Sequence, residues 1–190
     1  IFTPTAPGAR TATIQINWNQ GGGVSPTVTN ITVDGNGTLA SAGVTSPVNY
    51  GDSNVGVATA AVGHTLTNTG TGPMTITAAS VGGDWTLSGV PALPVTIGAG
   101  GTFNFSGVFT PTATGARTAT IQVSWNQGGG VGPTVTNITV DGNGTLASAG
   151  VTSPVNYGDS NVGVATAPTG HTLTNTGTGP MTITAASVGG

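Results

Sequence analysis

The chain has 190 residues, among them 34 Gly, 12 Pro and 37 Thr; only 4% are charged and the net charge is −3. Two Arg without any Lys cannot form the basic stripe that phosphates require, so a nucleic-acid partner is excluded. With no Cys, disulfide frameworks, Cys-based zinc sites and Cys nucleophiles are excluded too. Thr, Val and Ile favour strands, and the strong helix formers Glu and Lys are missing. No apolar run approaches the ~20 residues of a membrane helix, so no transmembrane segment is expected in this sequence. Hydrophobic residues at 36%, small net charge and regular alternation predict a compact fold despite the Gly and Pro content.

In chain order, the first finding is a repeat. Residues 1–83 recur at 108–190, and only seven pairs differ: Ile1/Val108, Pro7/Thr114, Ile16/Val123, Asn17/Ser124, Ser25/Gly132, Ala61/Pro168 and Val62/Thr169. The period of 107 residues is too long for a solenoid unit of ~20–50 residues. It suits a sandwich domain of ~100 residues. The Gly-rich stretch 35–43, repeated at 142–150, reads as the boundary. Residues 44–150 are then one complete repeat. Residues 1–43 form the C-terminal part of a preceding repeat, and 151–190 the N-terminal part of a following one.

Within 44–150, seven runs read as strands between turn signals: 48–51, 62–68, 74–81, 84–88, 102–109, 117–125 and 134–141. Phe103, Phe105, Gly107 and Phe109 alternate with Thr102, Asn104, Ser106 and Val108. Ala119, Ile121, Val123 and Trp125 alternate with Thr118, Thr120, Gln122 and Ser124. Such period-two patterning predicts one buried and one wet face, hence two packed antiparallel sheets, with Leu66, Met74 and Ile76 completing the core. The predicted class is all-β: tandem seven-stranded antiparallel immunoglobulin-like β-sandwiches.

Three motifs carry a resemblance. They are V-x-Y-G-x-x-x-V-G from Val48 to Gly56, L-x-N-T-G-x-x-P-M-x-I from Leu66 to Ile76, and the stretch from Phe103 through F-x-P-x-x-x-G-x-R to Ile121. Together they resemble the ASPM–SPD-2–Hydin type of immunoglobulin-like domain, whose bacterial form occurs in secreted choice-of-anchor D proteins. The resemblance implies a seven-stranded sandwich, extracellular or cell-surface placement in arrays, and no catalytic residue. The near absence of charge departs from the usual pattern.

Chemistry finds little footing. His64, repeated as His171, is the single imidazole per period and shares parity with Leu66, which points it inward as a hydrogen-bonded core residue. A metal site wants three or four ligands, and a triad wants a base and an orienter that Asp52 and Asp84 do not evidently supply. Neither an enzyme nor a cofactor is expected. Asp34 and Asn36, recurring as Asp141 and Asn143, place oxygen ligands at alternate positions as calcium loops do, with Asp52 as an added carboxylate. They lack the bidentate Glu, and Asp-Gly and Asn-Gly equally mark turns. The triplets 21–23 and 128–130 read as hairpin tips, since no Lys or helix follows as in a phosphate loop. Trp18 and Trp125 fall on core parity. Trp85, at a strand start, is the candidate for stacking on a glycan. Asn30, Asn36 and Asn104 head glycosylation sequons.

Near-identical tandem domains suit a task performed by length. Thr-rich faces without Lys or Glu lack the usual guards against edge pairing, and weak charge means weak repulsion between copies. The expected partner is therefore another copy of the chain, in an extracellular filament, stalk or surface coat, with strand complementation between neighbours. The alternative expectation is a repetitive surface adhesin that binds a glycan or other surface ligand. A third is ice binding by the short Thr ranks Thr65/Thr67 and Thr75/Thr77.

Overall fold

A computed structural model describes residues 1–127 and 132–189. The expected hairpin tip at 128–130 lies outside the described residues. The chain is all-β, with no helix among those residues. Two strands come first, β1 (Gly8–Trp18) and β2 (Thr27–Gly37), paired antiparallel as an isolated ribbon. Nine strands follow: β3 (Ala42–Val44), β4 (Val48–Asn54), β5 (Val62–Asn68), β6 (Met74–Ser80), β7 (Trp85–Ser88), β8 (Val95–Ile97), β9 (Thr102–Phe109), β10 (Gly115–Asn126) and β11 (Thr134–Thr145). A last small ribbon pairs β12 (Ala149–Val151) with β13 (Leu173–Asn175).

The nine middle strands form a β-sandwich. One sheet has five strands in the order β4-β11-β10-β6-β8, the other four in the order β3-β5-β9-β7. The core between them is built from the inward residues of the alternating runs: Leu66, Met74, Ile76, Phe103, Phe109, Ile121, Val123, Ile138 and Val140 are almost fully buried. Removing this apolar surface from water is the main stabilising term. All seven anticipated runs are strands, and the inward parity of the 102–109 and 117–125 runs is as read from the sequence.

Three features differ from expectation. The sandwich has nine strands, because the three-residue β3 and β8 are too short to show alternation. The β4–β11 pair is parallel, whereas every other pair is antiparallel. These two strands come from opposite ends of the repeat, so no hairpin dictates their direction. Finally, Asp34 to Gly37 continue β2 and Asp141 to Gly144 continue β11, instead of turning. The glycines there serve close approach. The Phe109 ring lies over Gly142, where a methyl would sit 2.6 Å from the ring, and Phe2 lies over Gly35 in the same way.

Candidate functional site

The buried face of the sandwich carries an aromatic cluster. β4 brings Tyr50, β5 His64, β7 Trp85, and β9 Phe105 and Phe109. Tyr50 Oη and His64 Nε2 are 2.6 Å apart, and His64 stacks on Phe105 at 5.2 Å between centroids. Burial raises the Tyr50 phenol to about 12 and lowers the His64 imidazole below its ordinary value. The pair is thus held neutral. Gly107 is required beneath it, since a methyl there would overlap Tyr50 Oη. His64 is the inward hydrogen-bonded residue that parity predicted.

Trp85 is a correction. It is 3% exposed, stacked on Phe109 at 4.6 Å and edge-on to Tyr50. Its ring has no free face for a glycan, because β7 turns it inward with the same parity as Leu87. Its Nε1–H has no hydrogen-bond partner among the described residues. Trp125 is buried as expected, with Nε1 donating to Thr136 Oγ1 at 2.9 Å. Trp18, of equal parity, is 43% exposed.

Beside Trp85 lies the one ion pair among the described residues. Arg117 Nε donates to Asp84 Oδ2 at 2.5 Å, and Thr112 Oγ1 donates to Asp84 Oδ1 at 2.8 Å. The Arg117 hydrogen bond, followed by that of Thr112, holds the Asp84 carboxyl below its usual range. Residues 84–107 occur once in the chain. The β1–β2 ribbon carries the counterpart Arg10, which forms no ion pair among the described residues. A groove of about 330 Å³ there is lined by Phe2, Arg10, Ile14, Val33 and Asp34.

The calcium candidates are only partly brought together. Asn143 Nδ2 donates to Asp52 Oδ1 at 3.1 Å across the β4–β11 pair. Asp141 instead accepts from Thr118 Oγ1 at 3.1 Å. Asp34 stands opposite Thr11, and Asn36 opposite Ala9, in the separate ribbon. Among the described residues no group of three His, Cys, Asp or Glu side chains is placed to hold a metal.

The remaining surfaces are the outer faces of the sheets. On the four-stranded sheet Thr65 donates to Asn104 Oδ1 at 2.8 Å, and Thr67 stands opposite Thr102. On the five-stranded sheet the Thr75 and Thr96 hydroxyls are 2.8 Å apart, Thr120 faces Thr139, and Gln122 faces Asn137. These are ranks of short, uncharged hydrogen-bonding groups. Sequence patterning located them; it did not reveal the Tyr50–His64 or Asp84–Arg117 pairs.

No family model matches the chain, and no curated protein matches it. Among solved structures it is similar to the ASH/PapD-like domain 7 of human CEP192, at 13% identity and TM-score 0.42, over 56% of this chain and 87% of that one. A protein of Porphyromonas gingivalis W83 whose function is unknown is 13% identical with TM-score 0.46, over 75% of this chain and 69% of the other. WR4, an MSP family member of C. elegans, is 8% identical with TM-score 0.35, over 57% and 99%. The chain is thus structurally similar to ASH/PapD-like and MSP domains.

Proposed function

We propose that the chain is a structural repeat of an extracellular, self-associating filament, stalk or surface coat, each 107-residue period forming the same immunoglobulin-like sandwich. The observation that carries this reading is the outer surface of both sheets: ranks of Thr, Asn, Gln and Ser, with Lys and Glu absent from the whole sequence. Short hydroxyl and amide side chains form hydrogen bonds to a neighbour with little loss of rotamer freedom. Weak surface charge leaves little repulsion between copies. Strand complementation between neighbours adds a second route. The apolar face of β1–β2 has the same residues that β10–β11 buries against the opposing sheet, apart from Ile16 in place of Val123. The adhesin alternative loses its stacking aromatic with the burial of Trp85.

Sedimentation velocity and electron microscopy of the chain at low salt, over a range of concentrations, test the proposal. Ordered assemblies that grow with concentration are expected. A monodisperse monomer at high concentration would overturn it.

A further inference from the structure

The chain contains two places where one copy of the repeat passes to the next, and they share one geometry. After β2, Leu39 N–H donates to Thr71 Oγ1 at 3.3 Å, while Thr71 and Gly72 N–H donate back to Leu39 O at 2.8 and 3.0 Å. After β11, Leu146 N–H donates to Thr178 Oγ1 at 3.2 Å, while Thr178 and Gly179 N–H donate back to Leu146 O at 2.9 and 3.0 Å. An Asn braces each turn. Asn68 Oδ1 accepts from Ser41 and Gly70 N–H, and its Nδ2 donates to Gly72 O. Asn175 repeats this with Ser148, Gly177 and Gly179. The Gly-rich linker is therefore bonded along its length to the repeat it enters.

The second passage also shows a grip on the repeat being left. Asn54 ends β4 of the sandwich. Its Oδ1 accepts from Thr145 Oγ1, the last residue of β11, at 2.8 Å. Its Nδ2 donates to Pro180 O at 3.0 Å, 126 positions further along the chain. Gly179 packs directly on this amide, and a methyl there would overlap Asn54 Oδ1. At the first passage Gly72 packs on Thr38 as Gly179 packs on Thr145, the added methyl meeting the Thr Oγ1 at 2.8 and 2.7 Å. The Asn54 amide thus bonds to both sides of the passage.

We infer that Asn54, with Thr145 and the Gly179–Pro180 turn, is an inter-repeat clamp that holds consecutive repeats at a set angle. Linked domains move relative to one another unless an interface prevents it. The clamp supplies a specific restraint on that motion, through an amide bonded to both sides and a glycine contact that admits no side chain. The inference rests on the reading of the chain as an array of repeats, not on its self-association.

The absence of Cys allows clean labelling. Spin labels at Gln122→Cys on β10 and Thr174→Cys on β13, in the dilute full chain, report the distance between the sandwich and the following segment by pulsed electron–electron double resonance. A single narrow distribution is expected. In both Asn54→Ala and Gly179→Ala it should broaden at least two-fold at a temperature where a thermal melt shows the sandwich still folded. A broad distribution in the parent, or an unchanged width in Asn54→Ala, would overturn the clamp. Broadening in Gly179→Ala alone counts against it too, because that change also strains the turn itself. A narrow distribution in a chain that never associates leaves the clamp standing and overturns the filament proposal alone; association with a broad distribution does the reverse.

Discussion

In β10–β11, Ile121, Val123, Ile138 and Val140 are 0–1% exposed, whereas their counterparts Ile14, Ile16, Ile31 and Val33 in β1–β2 are 39–50% exposed. The pairing of the two hairpins is nonetheless the same residue for residue, from Gly8↔Gly37 to Trp18↔Thr27 and from Gly115↔Gly144 to Trp125↔Thr134. The indole–Thr hydrogen bond is made in both, at 3.0 and 2.9 Å. Phe2 covers Gly35 as Phe109 covers Gly142. Register and local glycine contacts thus follow from the hairpin's own sequence. Burial does not. It comes from the opposing sheet, whose β5, β7 and β9 supply Leu66, Trp85, Phe103, Phe105 and Phe109 to the core shared with β10–β11, while β4 and β6 flank that hairpin within its own sheet.

The largest expected contrast is a paired truncation. Ile121→Ala should cost about 2–5 kcal/mol of sandwich stability, since it removes apolar contacts and leaves a cavity. Ile14→Ala should change it by less than about 0.5 kcal/mol, as an exposed substitution does. Urea unfolding of the dilute chain measures both. Equal costs would mean that the β1–β2 face is covered in solution, and the comparison would fail.

A smaller contrast separates the two arginines. Arg117→Ala strips Asp84 of its ion pair and should lower the unfolding midpoint. Arg10→Ala should not, because Arg10 forms no ion pair among the described residues. The pH dependence follows from the lowered Asp84 value. Its contribution is present above the unfolded value of 3.8 and is lost as pH falls through the lower folded value. Thermal melts below pH 4 should show that loss in the parent, and less of it in Arg117→Ala.

The smallest effect expected is a shallow acid limb from His64. Its folded value is lowered, so the unfolded chain takes up the proton first. Stability is then complete above the unfolded value of 6.5 and declines as pH drops below it. His64→Gln should remove that slope. Midpoints recorded at half-unit steps from pH 7.5 to 4.5 decide the matter. An unchanged slope in His64→Gln would show that the imidazole titrates freely.

Much of the core was legible because alternation is a local property. The parity of Phe103, Phe105 and Phe109, and of Ile121, Val123 and Trp125, placed each on the buried face. Asp34 to Gly37 misled because Asp-Gly and Asn-Gly favour turns through φ alone. What they meet here is a ring and a carbonyl pressed against strand glycines. Trp85 misled because a four-residue strand beside a charged residue carries too little pattern to show its face. The candidate site suffers the same limit. Asp84 and Arg117 are 33 positions apart, and Tyr50 and His64 lie on opposite sheets. No spacing rule joins them.

The sequence by itself determined the period, the strands long enough to alternate, the hairpin register and the uncharged outer ranks. Each depends on neighbours in the chain or on composition. Only the tertiary structure decided which copy of one hairpin is core and which is surface. It also decided that Trp85 turns inward, that β4 runs parallel to β11, and that Asn54 reaches the next repeat. These are set by which sheets stack, and burial energy belongs to the pair of faces that meet and not to either face alone.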